Sequence, residues 1–345
     1  MQWLLVLAPV SMAAHLLHWS PLVVFATAAG AILPLAGLIG EATGELAIHA
    51  GPGVGGLLNA TFGNVTELVI AVILVVRNED AVVKATITGS ILGNSLLVLG
   101  LALLLGGLRH HEQQFDAQAA GVHATSLMLA VVGLLMPALF VHAIGEPGFV
   151  QGEVVSGVVA GVLIALYAAA LVFTLVTHQS LVGPPAEGEA RWSAAKAVGV
   201  LLGSTVLVAV ESELLVGALE GAVAALGVSK FFIGLILVPV VGNAAEHASA
   251  VIFARRNQLD VTLEIAIGSS IQVALFVAPV LVFIGLAVGH PIDFFFTPFE
   301  VAAVGLSTLM VALISRDGCS NWLEGAQLLA AYAIMAASFF FVPLR

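Results

Sequence analysis

The sequence predicts an all-α polytopic membrane protein with eleven transmembrane helices, arranged as two inverted-topology five-helix repeats and a peripheral first helix. Three observations predict this class: a strongly apolar composition, eleven apolar stretches of membrane-spanning length, and an internal duplication. Of the 345 residues, 60% are hydrophobic and only 9% are charged, whereas soluble globular proteins are about a quarter charged. This composition excludes a soluble protein, and its abundant apolar surface excludes a disordered one.

Charge and cysteine content narrow the function classes further. A net charge of −11 with only 10 basic residues argues against a nucleic-acid partner and leaves the lipid bilayer as the main environment. The single cysteine, Cys319, permits neither an intrachain disulfide nor a cysteine-based metal cluster. The sequence lacks a His-Glu-x-x-His pair, a phosphate-binding loop and a nucleophile elbow. We therefore expect a transporter without a cofactor rather than an enzyme.

The apolar stretches define the predicted membrane spans, since a spanning helix needs roughly 20 predominantly apolar residues. Residues 1–20 are assigned to a first transmembrane helix rather than to a cleaved signal, because no basic residue precedes the apolar stretch. The candidate spans are 3–19, 22–39, 54–76, 85–108, 119–142, 152–177, 194–214, 231–254, 261–288, 299–315 and 322–342.

An internal duplication relates the two halves of the chain. A shift of 179 positions places Gly63-Asn64-Val65-Thr66-Glu67 on Gly242-Asn243-Ala244-Ala245-Glu246, and 13 of the 39 pairs that begin there are identical. The predicted repeats are residues 21–178 and 194–345, joined by an extramembrane linker at 179–193. Because each repeat holds five spans, an odd number, the second repeat enters the membrane from the opposite side.

The distribution of basic residues predicts the orientation. An excess of basic residues marks the cytoplasmic side, and the six-to-four division favours a cytoplasmic N-terminus and linker. The six lie at Arg109, Arg191, Lys196, Arg255, Arg256 and Arg316, and the four at Arg77, Lys84, Lys230 and Arg345.

Two glutamates carry the strongest functional signal. Glu67 and Glu246 each lie within an apolar run, where a charged group costs at least about 2.5–3.5 kcal/mol. Asn64 and Asn243 precede them by three positions and so share their helix faces. A glycine before each pair can break the helix and free backbone carbonyls, which together with a carboxylate form an oxygen-rich site suited to Ca²⁺. The alternative is that two protonated glutamates bond neighbouring helices.

The following span of each half adds polar side chains on one helix face. Ser90 and Asn94 lie in the first half, and Ser269 and Gln272 in the second. Ser90 and Ser269 each come 23 residues after the glutamate of their own half. Either these side chains assist cation binding or they form interhelical hydrogen bonds only.

Further acidic residues define two predicted vestibules, meaning acidic mouths that concentrate cations. His247, directly after Glu246, either relays protons or bonds a neighbour. The vestibule candidates are Glu41, Glu45, Glu211, Glu213 and Glu220, of which Glu41 and Glu220 are related by the repeat.

Four stretches make the family resemblance visible: GNVTELVIAVILVVRN, GNAAEHASAVIFARRN, GSILGNSLLVLGL and IAIGSSIQVALFVAPV. The sequence resembles the calcium/proton antiporters of the cation/calcium exchanger superfamily over about residues 22–342. The resemblance implies eleven spans, alternating access, and competitive binding of Ca²⁺ and H⁺ by Glu67 and Glu246. It also implies supporting roles for Asn64, Asn243, Ser90, Asn94, Ser269 and Gln272.

The expected substrates are therefore Ca²⁺ and protons, with Na⁺/Ca²⁺ or Mn²⁺ exchange as the alternative within the same superfamily. A cation channel is disfavoured because it would ring its pore by oligomeric symmetry. The sequence leaves a homo-oligomer open.

Overall fold

The computed structural model describes residues 2–145, 149–178 and 190–341. The predicted linker therefore lies outside the described residues, apart from 190–193. The described residues form a helical bundle with one small two-stranded antiparallel sheet of β1 (Glu112–Gln114) and β2 (Cys319–Asn321). The helices are α1 (Leu7–Leu16), α2 (Pro21–Ala50), α3 (Pro52–Phe62), α4 (Val65–Val76), α5 (Asp80–His110), α6 (Ala117–Ile144), α7 (Gln151–Thr177), α8 (Ala194–Gly217), α9 (Leu219–Leu226), α10 (Lys230–Gly242), α11 (Ala244–Arg255), α12 (Leu259–Val288), α13 (Pro298–Ile314) and α14 (Trp322–Phe340).

Seven of the described helices are long and apolar enough to cross a membrane: α2, α5, α6, α7, α8, α12 and α14. α9 and α10 form an eighth candidate span, bent by 108°. These helices confirm an all-α, multi-pass membrane protein, whereas the count of eleven stays a prediction. Four predicted spans account for the difference. The spans 54–76 and 231–254 are interrupted at Gly63-Asn64 and Gly242-Asn243 and divide into α3 and α4 and into α10 and α11, each too short to cross alone. The spans 3–19 and 299–315 contain helices of only 10–17 residues.

The two halves are equivalent element by element around the polar motifs. α4 and α11 begin at Val65 and Ala244, and α5 and α12 begin at Asp80 and Leu259; both pairs are 179 residues apart. Short π-helical stretches interrupt α5 at Gly93–Val98 and α12 near the equivalent place, a distortion that is frequent at functional sites. The halves differ where α2 runs unbroken to Ala50, whereas its counterpart is divided into α8 and α9.

Loop contacts connect the ends of the helices. The Gln113 amide donates to the Ala254 carbonyl oxygen at 2.8 Å, beside the pairing of β1 with β2. Elsewhere, Lys84 is ion-paired with Asp293. Each contact joins two parts of the chain that the predicted order of eleven spans places on the same side of the membrane.

The centre of the bundle is formed by α5 and α12, the most buried of the long helices, while α7 and α14 are mostly outward-facing. Gly89 permits a close approach between α5 and α10, because a Cβ atom there would lie 1.9 Å from the Leu235 carbonyl oxygen. Central helices packed this closely hold the polar side chains of both halves in fixed positions.

Candidate functional site

The two Gly-Asn-x-x-Glu motifs lie at helix starts. Asn64 and Asn243 have nearly identical backbone angles, φ −97° and ψ 16° against φ −102° and ψ 9°, and each immediately precedes a new helix. Glu67 and Glu246 consequently occupy the third position of α4 and α11. Asn before a helix with Glu at its third position is the pattern of a capping box, in which each side chain bonds the other residue's backbone N–H.

Two other helices of the same chain use this pattern for capping. Before α14, the Asn321 side chain accepts from the Glu324 backbone N–H, and the Glu324 side chain accepts from the Asn321 N–H, both at 3.3 Å. Before α13, Thr297 and Glu300 form the same box. An Asn-x-x-Glu pattern in this chain can therefore cap the N-terminus of its own helix.

At α4 and α11, the Asn and Glu side chains of the same pattern bond other residues and do not cap the helix. Neither Asn64 nor Asn243 makes a side-chain cap. The Asn243 amide instead donates to Glu67 Oε1, in the other half of the chain. The Asn64 amide donates to Gln272 Oε1, also across the halves. Capping stabilises a helix by about 1 kcal/mol, so both helix starts forgo this contribution in favour of a shared polar centre.

Serines of the helix that follows each motif donate hydrogen bonds to the two carboxylates. Ser90 donates its hydroxyl to Glu67 Oε1. Ser269 donates to Glu246 Oε2 at 2.5 Å. The two serines are equivalent in the repeat, and they bring α5 and α12 against the paired helix starts.

Several polar atoms of this centre are buried without a partner. Glu67, Asn64 and Asn94 are 1–3% exposed, yet Glu67 Oε2, Asn64 Oδ1 and Asn94 Nδ2 have no hydrogen-bond partner. A buried polar atom without a partner costs about 1–3 kcal/mol. Two of these three atoms are oxygens, so the centre offers acceptors for a cation.

The two motif glycines keep the backbone close to the opposite glutamate. A Cβ atom on Gly242 would lie 3.0 Å from Glu67 Cγ, and one on Gly63 would lie 3.3 Å from Glu246 Oε1. Glycine thus lets each helix break approach the carboxylate of the other half.

The last of the predicted binding residues, Asn94, bonds His247, and neither side chain is repeated at the equivalent position of the other half. Asn94 Oδ1 lies 3.0 Å from His247 Nε2. The equivalent positions hold Val273 and Leu68. The centre is therefore asymmetric, and the eight predicted binding residues lie in one connected region at the crossing of the two halves.

Four of the five vestibule candidates are ion-paired, which the sequence analysis did not anticipate. Arg191 bonds Glu41 and Glu45, each at 3.0 Å. Glu213 pairs with Arg77, and Glu220 bonds Lys230 at 2.9 Å. Their charges are compensated locally, so any attraction of cations by these acids is weaker than for free carboxylates. Glu211 is the exception: it is fully buried and bonds Ser11.

Sequence reasoning missed the partners within the centre. It placed each Asn beside the Glu of its own helix, whereas the contacts cross between the halves. No sequence signal distinguishes Asn64 and Asn243 from the capping residue Asn321, because the Asn-x-x-Glu spacing is the same in all three.

Substitution of these asparagines separates a capping role from a site role. We expect Asn321→Ala to lower thermal stability by about 1 kcal/mol and leave cation affinity unchanged. Asn243→Ala is expected to weaken cation binding about 10–100-fold, the usual effect of removing a group that orients a metal ligand, with little loss of stability. Binding titration and thermal unfolding of both variants check this. Equal affinity losses in the two variants would contradict a special role for Asn243.

The comparisons with known proteins agree with this fold, which is that of a multi-pass membrane transporter. The chain belongs to the sodium/calcium exchanger protein family, whose profile matches residues 20–176 and 196–341.

Individual relatives match over nearly the full length. The chain is 47% identical to a Ca(2+)/H(+) antiporter of Aphanothece halophytica, covering 99% of this chain and 96% of that one. It is 42% identical to the Ca(2+)/H(+) antiporter ChaA of Bacillus subtilis, covering 96% of each. Among solved structures, native YfkE superposes with a TM-score of 0.86 at 39% identity, covering 98% of this chain and all of that one. The H+/Ca2+ exchanger CAX, at 14% identity and a TM-score of 0.76 with 98% and 91% covered, shares the fold.

Proposed function

We propose that this protein is a secondary antiporter that exchanges Ca²⁺ for H⁺, with Glu67 and Glu246 binding the two ions in competition. The observation that carries the proposal is the diversion of two Asn-x-x-Glu pairs from helix capping into one buried centre. Relatives named as Ca(2+)/H(+) antiporters over nearly the whole chain support it.

Charge balance explains the coupling of the two ions. Two carboxylates neutralise one Ca²⁺, and two protons neutralise the same pair. Without either cation, two negative groups in a buried centre repel each other, and the ionised form is disfavoured. The centre therefore changes the side of the membrane to which it is open only when it is loaded. It carries Ca²⁺ in one direction and protons in the other.

The donor set fits a hard divalent cation. Ca²⁺ takes six to eight oxygen ligands, including carboxylates and amide carbonyls. The centre supplies the carboxylates of Glu67 and Glu246 and the unpartnered Oδ1 of Asn64. Among the described residues, no group of three His, Cys, Asp or Glu side chains could hold a metal ion, so side-chain amide and hydroxyl oxygens, backbone carbonyls or water would complete the shell.

The proposed mechanism is alternating access, in which the two inverted repeats predicted at residues 21–178 and 194–345 move relative to each other. Glu67 is fully buried, whereas Glu246 keeps partial exposure. This difference supports a conformation in which the centre is open at the Glu246 side and closed at the Glu67 side. His247, beside Glu246, is proposed to pass protons at that opening, and its contact with Asn94 Oδ1 at 3.0 Å would orient the imidazole ring.

The pH dependence of Ca²⁺ affinity tests the competition. Protons and Ca²⁺ use the same carboxylate oxygens, so lower pH fills the centre with protons and weakens Ca²⁺ binding. We expect the apparent Ca²⁺ affinity to fall several-fold from about pH 8 to about pH 6, measured as half-saturation of Ca²⁺ uptake into liposomes. Mn²⁺ and Na⁺ are added as competitors, because Na⁺ inhibition would favour Na⁺/Ca²⁺ exchange. An affinity that stays flat across this interval would contradict a shared centre.

A further inference from the structure

Another buried carboxylate, that of Glu211, lies outside the exchange centre, between α1 and α8. Glu211 and Ser11 are both fully buried. Ser11 Oγ lies 2.5 Å from Glu211 Oε2 and 2.8 Å from the Ala8 carbonyl oxygen. The other carboxyl oxygen, Glu211 Oε1, is buried without a partner.

The single hydrogen of the Ser11 hydroxyl determines whether Glu211 is protonated or ionised. A serine hydroxyl has one hydrogen to donate, but an ionised Glu211 and the Ala8 carbonyl would both be acceptors. Two short contacts with one hydrogen leave one acceptor unsatisfied. If Glu211 is protonated, it donates to Ser11 Oγ, and Ser11 donates to Ala8. Only the protonated acid satisfies both contacts.

The charged groups on the helices packed against α8 are engaged elsewhere. On α2, Glu41 and Glu45 bond Arg191, and His49 bonds the Trp192 carbonyl. On α4, Glu67 bonds Ser90 and Asn243. The other charged groups nearby are also engaged or exposed: Arg77 pairs with Glu213, Glu220 pairs with Lys230, Lys196 lies over the Trp192 ring, and His15 on α1 is exposed. No basic side chain in the described residues forms an ion pair with Glu211. A buried charge without a partner is strongly destabilising, which again favours the protonated acid.

The repeat sets Glu211 apart from the exchange centre. Its equivalent in the first half is Ile32, a buried apolar residue. The acid occurs only where the bundle meets α1, the helix that lies outside both repeats. Its polarity therefore serves the attachment of α1 rather than a symmetric transport path.

We propose that Glu211 is a proton-binding site, distinct from the exchange centre, that fastens α1 to α8 while it is protonated. When alkaline solution removes this proton, the carboxylate and the Ala8 carbonyl compete for the single Ser11 hydrogen. The contact between α1 and α8 is then weakened. Its contribution to stability is present at low pH and is lost as pH rises.

Glu211→Gln is the matched test, because glutamine keeps the volume and an N–H donor toward Ser11 but cannot lose a proton. The full chain in detergent is unfolded thermally between about pH 6 and pH 9, with hydrogen–deuterium exchange of the α1 amides measured at each pH. Wild type and variant are compared at equal pH, which removes the intrinsic pH dependence of amide exchange. Glu213→Gln, an exposed acid two residues away, is the control.

We expect wild type and Glu211→Gln to agree at the acidic end. At the alkaline end the variant should be more stable by about 2 °C or more in Tm, with slower exchange in α1. A difference between wild type and Glu211→Gln that is constant across pH would overturn the proposal. So would a wild type that gains stability over the variant as pH rises.

Discussion

Glu67→Gln and Glu246→Gln are each expected to reduce pH-driven Ca²⁺ uptake to the background of protein-free liposomes. Glutamine Oε1 can still accept the hydroxyl of Ser90 or Ser269, so the helix contacts survive while the charge is lost. One remaining carboxylate neither neutralises Ca²⁺ nor carries two protons, and both directions of exchange fail together.

Glu300→Gln is the matched control for these variants. Glu300 is also a buried glutamate at the third position of a helix, but its carboxylate caps its own helix through Thr297. Glutamine at this position also supports a capping box. We expect full exchange activity in this variant. Wild-type exchange in Glu67→Gln or Glu246→Gln would show that the glutamate concerned is not an essential ligand.

Gly89→Ala is expected to disrupt the bundle. An added Cβ atom would lie 1.9 Å from the Leu235 carbonyl oxygen and 2.6 Å from its carbon, both backbone atoms. Backbone in a central helix cannot yield like a flexible side chain, so the cost should reach or exceed the roughly 1–3 kcal/mol of ordinary overpacking. Helices α5 and α10 would separate, and Ser90 would move away from Glu67.

The internal repeat supplies the control for this substitution. Gly268 is the equivalent of Gly89, but a Cβ atom there would meet only the Glu264 side chain, at 3.7 Å. Gly268→Ala should therefore fold normally, while Gly89→Ala loses thermal stability and monodisperse expression. Equal behaviour of the two variants in size-exclusion chromatography and thermal unfolding would contradict the close approach of α5 and α10.

The sequence predicted the fold class well and the breaks within helices only in part. Apolar stretches and the 179-residue repeat predicted the helical membrane class, because hydropathy and duplication are properties of the chain itself. The break between α3 and α4 was foreseen from Gly63. Helix α9 was not predicted, because residues 215–230 lie outside the predicted spans. Its equivalent in the first half is the C-terminal part of α2, and the bend between α9 and α10 matches the break between α2 and α3.

The candidate centre was predictable in its members but not in its pairing. Repeated polar residues in apolar runs identified Glu67, Glu246 and their neighbours. The crossed bonds from Asn243 to Glu67 and from Asn64 to Gln272 depend on how the two halves approach each other. The pairing of the vestibule acids with Arg191 and Lys230 likewise joins positions that no local spacing connects.

Simultaneous recording of Ca²⁺ entry and proton exit in liposomes tests the central claim most directly. The purified protein is reconstituted with an acidic lumen, no Na⁺, and the membrane potential clamped at zero. We predict that external Ca²⁺ enters as the luminal pH rises, and that both signals vanish in Glu67→Gln. Ca²⁺ entry that leaves the pH gradient intact, or that requires a Na⁺ gradient, would contradict Ca²⁺/H⁺ exchange at this centre.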